Sequence, residues 1–315
     1  MTAVLPRLAS FLLITAFVPL AGAQSIIVVD TYNKKIHVGG NISQKRAVGG
    51  IAKIATAMVA LDWADASKVS LNVLATVPTY AEQIAGERVH DLRTGDRVTL
   101  RDLLYATMMS SDNVAAITLG HFVGGDLLRR KQVGGDPLQE FVTQMNALAA
   151  REGCRNTMFV TPHGYENSRP TPYSTAADIA RIGIYAASRA PFHFYTNQQS
   201  RRITIYRGEA RVPITVNNTN GLLGNSRIDG MKVASTPASG GCAVITADKP
   251  ATLIPQPDGS NIVFRHRLVV VVLGSGSPQQ QALGALQQGW GAYDQWLNAG
   301  RPITDRSQLL QFLQD

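Results

Sequence analysis

Apolar residues in the first part of the chain follow two different periods. The runs SIIVVD and KIHVGG are short and β-rich, and they flank the turn sequence TYNK, which predicts a β-hairpin. Further on, Ile51, Ile54, Met58 and Leu61 recur at intervals of three and four residues. This is the spacing of one helix face, so the pattern predicts a helix over residues 51–63.

Two helix starts in the middle of the chain carry capping chemistry. Thr99 stands three residues before Asp102, and Thr175 stands three residues before Asp178. In each pair the hydroxyl and the carboxylate can accept hydrogen bonds from N–H groups that lack partners at the helix start. The pairs predict helices at LRDLLYATMM and AADIARIGIYAAS. We therefore expect the middle of the chain to be mainly helical.

From residue 200 the period of the apolar positions changes to two. The short β-rich runs are separated by Gly, Asn and Pro, and they read RRITIY, RVPITV, DGMKVA, CAVIT and RLVVVVL. Several of these runs are neighbours in hairpins, so the sheet should be antiparallel. The segment 247–261 is expected to be a loop inserted in one hairpin.

The last elements are a long helix and a short tail. Ser277 and Pro278 have the N-cap and N1 chemistry of a helix start, and an apolar face continues to Leu297 before Gly300 ends it. We expect this closing helix over about 278–299 and a short amphipathic helix in the tail, 300–315. Together the elements predict an α/β (α+β) fold in which one antiparallel sheet is flanked by helices.

The first 23 residues have the form of a cleavable secretion signal. Arg7 precedes the apolar run LASFLLITAFVPL, and a small-residue cleavage site follows at 21–23. No later stretch reaches the roughly 20 apolar residues that a membrane span needs. We expect an exported, periplasmic or extracytoplasmic protein whose residues 24–315 form a single domain.

The chain is basic, with a formal net charge of +8. The basic residues are scattered, without interleaved aromatic residues or a recognition motif, so we expect no binding to nucleic acid. The charge instead suits anionic surroundings such as cell-wall polymers.

The cysteines and histidines do not identify a specific functional site. Cys154 and Cys242 could pair in an oxidising compartment or remain as two buried thiols, and the sequence leaves both possibilities open. The six histidines show no metal-ligand spacing. We expect no metal and no cofactor.

The most specific pattern is a lysine at the start of the first predicted helix. Lys53 follows Gly50 by three residues, so both positions lie on one helix face. An amine in that place could act as general base for a hydroxyl at position 50, but glycine has none. Ser111-Asp112-Asn113 follows the capped helix, and Lys232-Val233-Ala234 lies in a β-rich run.

These stretches resemble the motifs of the D-alanyl-D-alanine carboxypeptidases, the low-molecular-mass penicillin-binding proteins. The likeness covers about residues 25 to 298 in the family's order. It is carried by KRAVGGIAKIATAMVALD, GDRVTLRDLLYATMMSSDNVAA, FVTPHGY, YSTAADIARI, NNTNGLL and IDGMKVAS. The resemblance implies a serine β-lactamase/transpeptidase-like fold.

The resemblance also implies roles for individual residues. The family's nucleophilic serine falls on Gly50, while Lys53 would be its base. Ser111 would shuttle a proton to the leaving group, and Asn113 would position the substrate. His163 in FVTPHGY has no partner in the sequence pattern and is expected to be structural.

The third motif of the family, Lys-Thr-Gly, keeps only its lysine, Lys232. Val233 lacks the hydroxyl that binds the substrate carboxylate, and Ala234 adds a methyl group where the family has glycine. The N–H of Ser235, beside that of Gly50, would still offer an oxyanion hole.

Three functions follow from this pattern. The first is a catalytically silent protein of peptidoglycan metabolism that still binds a stem peptide or a protein partner. The second is an active serine-type carboxypeptidase or endopeptidase that cleaves D-Ala-D-Ala peptides with a lysine-activated water or another hydroxyl, for which Ser110 and Ser111 are the candidates. The third is a scaffold that works through its surface.

Overall fold

The structure of the protein, a computed structural model, describes residues 24–84, 89–166 and 170–310. The predicted secretion signal and the last five residues of the tail lie outside the described residues.

The described strands all pair in antiparallel fashion. They are β1 (Ser25–Asp30), β2 (Ile36–Gly40), β3 (Leu74–Thr76), β4 (Arg97–Thr99), β5 (Ser200–Arg207), β6 (Ala210–Asn217), β7 (Ile228–Thr236), β8 (Gly240–Pro255) and β9 (Asn261–Ser275). The helices are α1 (Lys53–Ser67), α2 (Ala81–Ile84), α3 (Leu100–Met108), α4 (Asn113–Lys131), α5 (Pro137–Arg151), α6 (Ala176–Ser188), α7 (Ala190–His193) and α8 (Pro278–Asn298).

The strands form two sheets, so the expectation of one sheet is wrong. A five-stranded sheet has the order β2-β1-β9-β8-β7, and a four-stranded sheet has the order β3-β4-β5-β6. The hairpin of β5 and β6 joins the second sheet because Tyr206 pairs with Arg97 of β4. The period of the apolar positions in a strand predicts which of its side chains are buried, but it contains no information about which other strand it pairs with.

The five-stranded sheet is covered on both faces. Ile27 and Val29 of β1 point into the core formed with the helical middle, while Ile26 and Val28 point towards α8. This explains why β1 is apolar at consecutive positions rather than at alternate ones. Gly289 lets α8 approach the sheet, because a Cβ there would lie 2.4 Å from Cγ1 of Val28.

Helix α1 runs through the middle of the helical layer, where it contacts α3, α4, α5 and α6. A 3-10 turn, Gly49–Ala52, leads into it. The predicted helix over 51–63 is confirmed, although the structure starts the α-helix at Lys53 and continues it to Ser67. Because helices surround α1, its first residues, including Lys53, are buried.

The hydroxyl half of each predicted cap is confirmed. The Thr99 hydroxyl accepts a hydrogen bond from the N–H of Asp102 at 3.1 Å, and the Thr175 hydroxyl accepts one from the N–H of Asp178 at 3.1 Å. The two carboxylates instead accept from other segments: Asp102 from the N–H of Thr204 at 3.3 Å and Asp178 from the N–H of Asn156 at 2.8 Å. The closing helix is also confirmed as α8, but its N-cap residue, Ser277, makes no side-chain cap.

Two expectations about irregular segments need correction. Most of 247–261 is not a loop, because β8 continues to Pro255 and β9 begins at Asn261, which makes a two-stranded ribbon. In the described part of the tail the structure has a 3-10 turn, Arg306–Gln308, and no α-helix. The tail packs against the β1–β2 hairpin, where the N–H of Leu310 donates to the carbonyl of Lys34 at 2.7 Å.

The two cysteines are free and buried. Along the part of the chain that the structure describes, no helix is long and apolar enough to cross a membrane.

Candidate functional site

A cavity of about 560 Å³ opens where the 3-10 turn before α1, the α3–α4 connection and strand β7 meet. It brings together most of the residues selected from the sequence. They are Gly50, Lys53, Ser111, Asn113, Val233, Ala234 and Ser235. Two selected residues, Lys232 and Ser110, are not on the cavity wall. This volume lies within the range of about 300–1,000 Å³ that is typical of ligand pockets.

Lys53 lies at the bottom of this cavity, 1% exposed. Its amine donates hydrogen bonds to Oδ1 of Asn113 at 2.6 Å and to the carbonyl of His163 at 2.8 Å. Burial lowers the pKa of the amine to about 7, although the charges of Asp112 and Glu166 oppose this shift. A large fraction of Lys53 is therefore neutral near pH 7, as a general base requires.

Gly50 is the point on which the polar groups converge. A Cβ built on its backbone would lie 3.4 Å from the Lys53 amine and 3.2 Å from Oγ of Ser111. The same Cβ would lie 3.0 Å from Cβ of Ala234.

The backbone does not require glycine at position 50. Gly49, its neighbour, has a φ of +51° and therefore favours glycine, whereas Gly50 is not among the residues of positive φ. A side chain at position 50 is thus allowed by the backbone and opposed most closely by the Ala234 methyl group, with Oγ of Ser111 next at 3.2 Å.

Ser111 occupies the short connection between α3 and α4 and has a φ of +63°. The next residue, Asp112, is the N-cap of α4, and its Oδ1 accepts from the N–H of Ala115 at 2.8 Å. Its Oδ2 accepts from the N–H of His90 at 3.0 Å. Asp112 therefore fixes the start of α4, and with it the position of Asn113 beside the Lys53 amine.

Strand β7 forms the opposite wall. Val233, Ala234 and Ser235 line the cavity, but Lys232 is 1% exposed and its amine donates to the carbonyl of Val233 at 2.8 Å. Burial, together with the nearby charge of Lys53, holds the pKa of Lys232 well below its usual value.

His163 contributes its backbone more than its ring. Its carbonyl accepts from Lys53, and its Nδ1 accepts from the N–H of Tyr165 at 3.1 Å. Burial, with the Lys53 charge as a second cause, lowers the pKa of the ring to about 3. The ring is therefore neutral and supports the local loop, which agrees with the structural role expected from the sequence.

The structure distinguishes between the hydroxyls of Ser110 and Ser111, the two candidates for an alternative nucleophile. Ser111 lines the cavity, whereas Ser110 does not. The Ser110 hydroxyl donates to the carbonyl of Ala106 at 2.9 Å and lies 2.8 Å from Nε2 of His90. Because the Ser110 hydroxyl does not line the cavity, its contact with His90 does not present a nucleophile there.

Sequence analysis did not identify His90 or Glu166 as neighbours of the site. The residues around them give no capping or spacing signal, and their place is set by the packing of distant segments. Among the described residues, no three His, Cys, Asp or Glu side chains are grouped as a metal site would require.

Comparison with known proteins identifies the family of the chain. A family profile described as D-alanyl-D-alanine carboxypeptidase matches residues 14–254. The chain is 29% identical over 268 residues to D-alanyl-D-alanine carboxypeptidase DacC of Escherichia coli, a match that covers 83% of this chain and 58% of that protein. It is 26% identical to the D-alanyl-D-alanine endopeptidase of E. coli, with 76% of this chain and 73% of that protein covered.

Solved structures show the same fold. The Streptomyces K15 DD-transpeptidase superimposes with a TM-score of 0.70 at 23% identity, covering 84% of this chain and 96% of that one. This agrees with the predicted serine β-lactamase/transpeptidase-like architecture. Since the profile matches well over half of the sequence, the chain belongs to the family of D-alanyl-D-alanine carboxypeptidases.

Proposed function

We propose that this protein is a catalytically silent member of its family, in which Gly50 occupies the position of the nucleophilic serine. It acts in peptidoglycan metabolism by binding a stem peptide or a protein partner in the cavity. Lys53, Ser111, Asn113 and Lys232 are then remnants of the catalytic machinery.

The observation that carries this proposal is the environment of Gly50. The Lys53 amine and the Ser111 hydroxyl lie within 3.4 Å of the place where a Cβ would stand, yet glycine offers no atom to acylate. Loss of a nucleophile in a serine hydrolase lowers kcat on the order of a millionfold. Substrate binding and the oxyanion hole leave only a small residual rate.

The wall opposite Gly50 supports the same conclusion. Val233 faces the cavity without a hydroxyl for the substrate carboxylate. A carboxylate that loses such a partner in a desolvated site costs about 1–3 kcal/mol. We therefore expect weaker binding of D-Ala-D-Ala peptides as well as the loss of chemistry.

Intact-mass measurement after incubation with excess penicillin tests the proposal. The native chain should show no covalent adduct and should not hydrolyse diacetyl-Lys-D-Ala-D-Ala above the uncatalysed rate. Gly50→Ser should form an adduct slowly, and Gly50→Ser with Lys53→Ala should not, because the base is then missing.

Peptide cleavage should need more than the serine. Adding Val233→Thr and Ala234→Gly to Gly50→Ser should raise turnover above that of Gly50→Ser alone, because the nucleophile and the carboxylate site act at different steps. Equal turnover of the single and the triple variant would contradict the role proposed for β7.

The active alternative remains an outcome of the same experiment. If the native chain cleaves the peptide and Lys53→Ala does not, the nucleophile is a lysine-activated water or another hydroxyl. That result would refute the proposal that the protein is catalytically silent. The variant is needed because a contaminating carboxypeptidase would produce activity that Lys53→Ala leaves unchanged.

We also propose that the protein is exported and cleaved near Gln24. The support is the order of Arg7, an apolar run and a small-residue site in the sequence. N-terminal sequencing of the protein from the cell envelope should begin at or near Gln24, and an intact Met1 would refute cleavage.

A further inference from the structure

The outward face of the four-stranded sheet carries three exposed arginines. In β5, Ile203 and Ile205 are buried, so Arg202 and Tyr206 point to the opposite, solvent side. The register places Arg211 of β6 and Arg97 of β4 directly opposite Tyr206 on its two sides. We call Arg97, Arg202 and Arg211 the arginine face.

The outward strand positions of this face carry no acidic residue. The other described outward positions of the four strands are Leu74, Thr76, Thr99, Ser200, Thr204, Tyr206, Pro213, Thr215 and Asn217. None of them has a carboxylate, and within the described ranges none of the three arginines forms an ion pair. Arg207, by contrast, pairs with Asp96 at 2.8 Å. The strand positions of the arginine face are therefore positive with no acidic residue among them, while one exposed carboxylate, that of Glu209, stands at its edge in the β5–β6 turn, two residues from Arg211.

The spacing of the three guanidinium groups follows from sheet geometry. Arg97 and Arg211 lie on strands separated by β5, which places their Cα atoms about 10 Å apart. Arg202 is four residues from Tyr206 along β5, which adds about 13 Å in the perpendicular direction. A small anion can be reached by two neighbouring guanidinium groups, such as those of Arg97 and Arg211, whereas a chain with repeated negative charges can contact all three arginines at once.

We infer that the arginine face binds a linear phosphodiester polymer of the glycerol-phosphate type. Each guanidinium presents paired N–H donors that match the oxygens of a phosphate group. The polymer supplies several phosphates on one flexible chain, so its contacts at separate arginines add through high effective concentration.

Two other anionic partners fit the face less well. Single-stranded nucleic acid binds through aromatic rings that stack on bases, but the one aromatic residue on this face, Tyr206, is half-buried, with the Arg211 guanidinium 5.8 Å from its ring centroid. A membrane surface would favour exposed apolar side chains beside the cations. Leu74 is the one large apolar side chain among the described outward positions.

Binding of poly(glycerol phosphate) to the full chain, measured by fluorescence anisotropy at several salt concentrations, tests the inference. The variant Arg97→Gln/Arg202→Gln/Arg211→Gln should bind at least about tenfold more weakly at low salt. The slope of log K against log salt should fall by about one for each lost phosphate contact. These side chains are exposed, and unchanged circular dichroism would verify that the variant folds.

A charge-matched control separates a local site from net charge. Lys68→Gln/Arg155→Gln/Arg306→Gln removes three exposed cations outside this sheet and should keep the affinity within about twofold. Equal weakening in the two triple variants would overturn the inference. Tighter binding to oligothymidylate or to phosphatidylglycerol vesicles than to the polymer would also overturn it. The outcome does not depend on the chemistry at Gly50.

Discussion

Substitution of Gly50 by alanine adds one methyl group at a position that the backbone fixes. That carbon would stand 3.0 Å from Cβ of Ala234. Carbon atoms are in optimal contact at about 3.5–4.0 Å, so the two methyl groups would overlap by roughly 0.5 Å or more. Gly50 and Ala234 should therefore be coupled in their effect on stability.

The magnitude follows from two opposing contributions. Replacing glycine where the backbone tolerates a side chain stabilises a protein by about 0.4–1 kcal/mol through the unfolded state. Overpacking in a closely packed site costs about 1–3 kcal/mol. We expect Gly50→Ala to lower the free energy of unfolding by up to about 2.6 kcal/mol in the native background and to raise it by up to about 1 kcal/mol in an Ala234→Gly background, where the 3.2 Å contact with Oγ of Ser111 remains.

Urea denaturation of the four proteins in this cycle measures the coupling. Gly134→Ala is a suitable control, because a Cβ there has no neighbour within 4 Å. Additivity of Gly50→Ala and Ala234→Gly within about 0.5 kcal/mol would refute the steric argument, because uncoupled sites add to that precision.

Three further predictions concern burial, close packing and capping. The folded pKa of Lys53, about 7, lies below the usual 10.5, so the unfolded chain binds more protons between these two pH values. The free energy of unfolding of the native chain, relative to that of Lys53→Met, should therefore rise by about 1.4 kcal/mol per pH unit between pH 7 and 10.5 and be flat below pH 7. Urea denaturation of both proteins at several pH values measures this difference, and a difference that does not change with pH would contradict the prediction. Gly124→Ala should lower the free energy of unfolding by about 3 kcal/mol or more, because its Cβ would lie 1.8 Å from the carbonyl oxygen of Pro137. A melting temperature equal to that of the control variant Gly134→Ala would disprove this clash. Thr175→Ala should cost about 1 kcal/mol through the lost cap of α6, and an unchanged urea midpoint would show that the cap is dispensable.

The sequence predicted the positions of some site residues correctly and that of Lys232 incorrectly. The spacing of Gly50 and Lys53 placed them on one helix turn, and the Ser111-Asp112-Asn113 motif is found beside them in the cavity. Lys232 was expected in the same cleft, yet its amine turns to the carbonyl of Val233. Sequence spacing indicates which backbone positions meet, but the direction of a long side chain depends on the atoms packed around it.

Local interactions explain what the sequence determined by itself. The hydroxyls of Thr99 and Thr175 start their helices because the N–H groups they accept from are three residues away. The hairpin of β1 and β2, the strands after residue 200 and the closing helix follow from apolar periods that neighbouring residues set. Such features depend on contacts within about one turn or one hairpin, so the local pattern is enough to indicate them.

Only the tertiary structure decided the features that depend on distant segments. It assigned β5 and β6 to a second sheet, which created the arginine face, and it extended β8 and β9 into the ribbon where a loop was expected. It also placed the Ala234 methyl group against Gly50 across 184 positions of sequence. Strand partners and close contacts of this kind are selected by the packing of the whole core, because many alternatives satisfy the same local pattern.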